Sequence, residues 1–192
     1  DENHCRVLGS YSRSGLEIVM DSCTVTSAGT SAFVEVLGRN QGPTKLDDCE
    51  IDNFVLANGL RGNSRLKSFR PRFSGSAEVC NREVLEIAGA VNENKGLVDF
   101  YLHISGFSVT EETWDAVCDS LKTHPTLEVL NLWSEETFLT PAVFKSRVQA
   151  LADMLKVNMS IHTLHLDDRY RQHELFRGSV IPYPETNRFR PR

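Results

Sequence analysis

The chain lacks any run of 18 consecutive apolar residues, which leaves no segment able to span a bilayer as a helix. It has no excess of positive charge. Against 26 Asp and Glu stand 21 Lys and Arg, a formal net charge of −5 with pI near 5.7. Without a dominant basic field, binding to a phosphate backbone is not expected. Its five cysteines, Cys5, Cys23, Cys49, Cys80 and Cys118, include no CxxC pair, so neither a disulfide framework nor a zinc knuckle is indicated. Also absent are a P-loop, a GxGxxG after a strand, GxSxG and HExxH. With them goes every positive argument for catalysis, and the expectation is a non-enzyme with no cofactor and no metal. Asp1-Glu2-Asn3-His4-Cys5-Arg6 contains no apolar leader core, and unpaired thiols suit a reducing compartment, so an intracellular, cytoplasmic location is expected.

What remains is ordinary globular composition: 192 residues, 40% hydrophobic and 24% charged, enough to bury a core without staples. Within it a short pattern recurs. Leu97–Leu102, Leu127–Leu132 and Ile161–Leu166 each read apolar-x-x-apolar-x-apolar, and Leu66–Pro71 is a degenerate copy. Their first residues, at 66, 97, 127 and 161, are 31, 30 and 34 apart. Upstream, Met20–Val25 parallels Leu46–Ile51 at a spacing of 26. An asparagine turn precedes several copies, at Asn40, Asn63, Asn94 and Asn158. A period of this size signals a stack of supersecondary units.

Helical faces lie between the short strands. Trp114, Val117, Cys118 and Leu121 fall at i, i+3, i+4 and i+7, as do Val84, Ile87, Ala88 and Val91. Phe144, Val148, Leu151 and Leu155 line another face, and a helix from Ser27 to Leu37 would turn Phe33, Val36 and Leu37 inward. Ser108-Val109-Thr110-Glu111 is a candidate capping box, and Thr140-Pro141 places a cap before a first-turn proline. Trp114 reads as core.

Strand, loop and helix at this period resemble leucine-rich repeats, and the long helical segments are similar to the ribonuclease-inhibitor subclass. Cys23 and Cys49 stand at that pattern's Asn/Cys position, with Val25 and Ile51 following. The resemblance implies that both side chains are buried and cap loop backbone groups. Ser74, Ser105, Glu135 and Arg169 depart from it. The fold expected is an α/β solenoid of about six repeats, strands on a concave side and helices on a convex one. It covers residues 15–183, with 1–14 as an irregular N-terminal cap that packs Val7 and Leu8 beneath the first repeat. Residues 184–192 read as a tail where another unit would begin. The competing fold, a doubly wound α/β sheet, would show apolar strands covered on both faces. These strands alternate.

Alternation also nominates a surface. Position five of the strands reads Val19, Lys45, Arg70, Tyr101, Asn131 and His165; position seven reads Asp21, Asp47, Arg72, His103, Trp133 and Asp167. Arg70, Arg72, Tyr101, His103, Asn131, Trp133 and His165 are the candidate binding residues. Arg, Tyr and Trp anchor protein interfaces because each joins contact area to a polar handle. A protein partner on the concave face is the function expected, by analogy of fold. Two alternatives are a peripheral subunit docking through helices or the C-terminal end, and a recognition fragment of a longer multidomain protein.

Weaker signals are read blandly. His162 and His165 are spaced HxxH, but i and i+3 on a strand face opposite ways. Asp47-Asp48-Cys49-Glu50 and Asp167-Asp168 read as solvated loop acids, and Arg188-Phe189-Arg190-Pro191-Arg192 as an exposed tail. Asn158-Met159-Ser160 matches a glycosylation triplet, a pattern frequent by chance.

Overall fold

Six strands follow one another across a single sheet in chain order, β1 (Val19–Asp21), β2 (Lys45–Cys49), β3 (Ser68–Pro71), β4 (Asp99–Ile104), β5 (Val129–Ser134) and β6 (Thr163–Leu166). Every neighbouring pair is parallel. Parallel neighbours require a crossover. It is supplied each time by a helix: α1 (Ser27–Gly38), α2 (Asn53–Arg61), α3 (Ala77–Glu93), α4 (Glu111–Lys122) and α5 (Pro141–Val157). The computed structural model describes residues 17–104, 108–134 and 139–167 together with Tyr170. The expected cap at 1–14 and tail at 184–192 lie outside the described residues.

Each helix packs on the next, and each strand on the next, with all five helices against one face of the sheet. This is an α/β leucine-rich-repeat-like array. The opposite face of the sheet is left bare among the described residues.

Two inward rows build the core. Leu66, Leu97, Leu127 and Ile161 are at most 2% exposed. Leu46, Phe69, Phe100 and Leu130 stack beside them, with the Phe69 and Phe100 rings 6.1 Å apart. The helical stripes meet these rows as the spacing predicts, and Trp114 is 1% exposed with its indole N–H donating to the Arg147 carbonyl. Each helix begins on a side-chain oxygen: Thr26, Asp52, Ser76, Thr110 and Thr140 accept first-turn N–H groups. The predicted box at Ser108 is displaced by two residues, since Thr110 takes the Thr113 N–H. Thr140-Pro141 starts α5 as predicted.

The helix ends share a buried asparagine ladder. Asn94 donates to the Leu60 carbonyl at 2.7 Å and to the Asn63 carbonyl, while its Oδ1 accepts the Gly96 and Leu97 N–H groups. Asn63 reaches the Leu37 carbonyl and Asn158 the Leu121 carbonyl in the same manner. Each rung thus satisfies a carbonyl that the preceding helix leaves open. His124 fills the fourth place. Its Nδ1 accepts from the Leu127 N–H at 3.1 Å, while its buried Nε2 makes no hydrogen bond among the described residues. Asn158 is 2% exposed and fully engaged, so the folded chain does not offer this sequon. Asn40 differs: it is exposed, adopts φ 57°, and accepts the Ser64 N–H.

Candidate functional site

The bare strand face places six of the seven candidate residues around one open cavity of about 250 Å³. Arg70, Tyr101, His103, Asn131, Trp133 and His165 line it, over Leu102 and Leu132. Arg72 borders an adjoining cavity of about 330 Å³ with Asp48, Pro71, Phe73, Arg70 and His103. Arg70 and His103 line both, so the two spaces adjoin on the strand face and together form its depression.

Strand register explains the convergence. Tyr101 pairs with Asn131, Asn131 with His165, and His103 with Trp133. Arg70 follows Phe69, the partner of Phe100, and so stands beside Tyr101. The first two strands depart from the predicted ladder. Val19 and Lys45 align with Ser68, Asp99, Val129 and Thr163, whereas Asp47 aligns with Arg70 and Asp21 with Asp47. Position five therefore begins with two aspartates, an offset of two residues. An irregularity between Asp47 and Cys49 accompanies it, with Asp48 at φ 50° and Ser22 at the same angle one repeat earlier.

Two polar chains brace the floor. Asp47 holds Lys45 at 2.8 Å and Arg70 at 3.7 Å, and the hydrogen bond to Asp47 raises the Lys45 ammonium above its usual range. Asp99 accepts from Asn131 at 3.2 Å and from Ser68 at 3.4 Å, and burial pushes its carboxyl up. Asn131, predicted as a contact residue, is only 8% exposed and serves as floor. Trp133 stands out of the same strand at 50% exposure, and His165 is exposed at the rim. The Arg72 carbonyl is fixed from behind by Asn53 at 2.8 Å, while its side chain is exposed and makes no ion pair among the described residues.

Alternation places Asp99 on this face too, at position three, and Lys45 and Asp47 already stand in the predicted ladder, though none of the three is among the candidate residues. Other expectations are corrected. Asp167 is not a solvated acid but 6% exposed, accepting the Tyr170 N–H. Asp47 is half-buried in ion pairs. Cys49 is buried with its thiol pushed up by desolvation, but Cys23 is exposed, since it follows the first described strand, which has a neighbour on one side only. Both thiols still donate to the carbonyl two residues back, those of Asp47 and Asp21. Ser105, Glu135, Asp168 and Arg169 lie outside the described residues, as do Cys5 and the arginines at 188–192. His162 turns to Glu128 at 3.1 Å, away from His165. Among the described residues no three His, Cys, Asp or Glu converge as metal ligands, and no helix is long and apolar enough to cross a membrane.

No protein-family model matches the chain, and no curated protein matches it. Among solved structures it is similar to actin-binding site 2 of leiomodin-1, at 17% identity and a TM-score of 0.47. That likeness covers 59% of this chain and 61% of the other. The class rests instead on the strand order and the repeated rows described above.

Proposed function

We propose that the chain is a non-catalytic protein-interaction module, of the ribonuclease-inhibitor-like kind, that binds a protein partner on its bare strand face. The observation that carries this reading is Trp133, half exposed at the edge of an open cavity shared with Tyr101, two histidines and Arg70. A large ring held in water on a rigid sheet costs hydration that a partner recovers on covering it. The floor favours binding over chemistry, because its acid and amide groups are tied to each other: Asp99 to Asn131, Asp47 to Lys45 and Arg70. Such cross-bracing fixes a shape and holds these carboxylates to partners on the sheet. The unbridged thiols of Cys49, Cys80 and Cys118 suit a reducing, intracellular setting.

The test is affinity capture from native lysate with mass spectrometry, comparing the natural chain with a Trp133→Ala/Arg70→Glu variant of equal thermal stability. The reading expects a specific partner retained by the first and lost by the second. A partner held equally by both would overturn the assignment of the strand face.

A further inference from the structure

Two chemistries lie side by side in the depression, and together they define a recognition motif. The cavity at Trp133 sets the rings of Trp133, Tyr101, His103 and His165, with Arg70 and Asn131, over Leu102 and Leu132, and no carboxylate lines it among the described residues. The adjoining cavity carries Arg72, Arg70 and His103 and, among the described residues, the single carboxylate of Asp48. Arg70 is already shared with Asp47 at 3.7 Å, whereas Arg72 makes no ion pair among the described residues. Flat rings on one side and an unmatched guanidinium on the other complement a ligand that is aromatic at one point and anionic at the next.

The spacing follows from the sheet. His103 on β4 pairs with Trp133 on β5, and Arg72, which directly follows β3, lines a cavity with His103, so about two strand intervals, roughly 10 Å, separate Arg72 from Trp133. In an extended peptide, residues two apart lie about 7 Å from each other on the same side. The length of an arginine side chain closes the difference.

We infer that the depression takes an extended peptide segment of the partner, crossing the strands, with an aromatic side chain in the Trp133 cavity and an Asp or Glu two residues away on Arg72. This rests on the reading of the strand face as the binding surface and adds the chemistry that the surface selects.

The experiment is selection of a random heptapeptide phage library on the immobilised chain, followed by titration of the enriched peptides, made synthetically, against the natural chain, Trp133→Ala and Arg72→Glu. Both side chains are exposed, and equal thermal midpoints show that the variants fold. Enriched peptides should pair an aromatic residue with an acid two positions away. Replacing that acid by its amide, or Arg72 by Glu, should weaken binding about tenfold or more, and a Lys at the acidic position should restore affinity for Arg72→Glu. Peptides without an acid, bound through Trp133 and indifferent to Arg72→Glu, would overturn the motif and leave the strand face standing. Peptides indifferent to both substitutions would overturn both. Failure to enrich any sequence would overturn the motif.

Discussion

Asparagine at the end of each helix does the work of a backbone segment. In Asn94 four hydrogen bonds run from one buried amide to two successive loops. Asn94→Ala leaves those carbonyl and N–H groups buried and unmatched, at a cost of about 2–4 kcal/mol. Chemical denaturation should show that loss, with the exposed Asn92→Ala unchanged as control. His124 makes only the forward half of this connection, accepting the Leu127 N–H, and does so at a price in pH range. Burial lowers its imidazole below the ordinary 6.5, so in acid the unfolded chain takes up a proton that the folded chain resists. Stability is full above about pH 6.5 and falls with acidification until the folded group titrates, at no more than about 1.4 kcal/mol per pH unit from this residue. His124→Asn, which copies the other rungs, should remove that part of the acid slope in denaturation at pH 7, 6 and 5. An unchanged slope would contradict the role given to this ring. The asparagine turns were visible in the sequence as a recurring residue. His124 was not, because an imidazole replaces an amide only through the position of one acceptor nitrogen.

At the scale of elements, the stripes of α1 and α3–α5 were legible since burial follows helical spacing directly, and Thr140-Pro141 marked a start. Register was harder. The first two strands were set two residues out because Met20–Val25 and Leu46–Ile51 match each other and carry no apolar first position like Leu97. Pairing across β2 and β3, with the irregularity after Asp47, decides the register instead. Repeat spacing also depends on a glycine whose need is not local. A side chain on Gly96 would lie 2.3 Å from the Ser64 carbonyl oxygen of the preceding loop. Gly96→Ala must part the two loops, and thermal unfolding should register a loss of about 1–3 kcal/mol. Gly62→Ala, which meets nothing within 4 Å, should be close to neutral.

For the molecule as a whole, periodicity revealed the architecture because every repeat solves the same packing problem: one face to the helices, one face bare. The same regularity brought six of the seven candidate residues to one cavity, since parallel register converts equal sequence positions into spatial neighbours. Periodicity could not separate wall from floor. Asn131 and Trp133 are two residues apart with the same orientation, yet a hydrogen bond to Asp99 sinks one while the other stands in solvent. That contrast is a matter of neighbours on other strands. The claim at the centre of this account is that the bare face is where a partner sits. The most direct measurement is site-specific photocrosslinking in cells, with p-benzoylphenylalanine in place of exposed His165 at the cavity rim, or of exposed Asp115 on α4. A discrete adduct from position 165 and none from 115 is the predicted result. An adduct from 115 alone would place the partner on the helices and contradict the account.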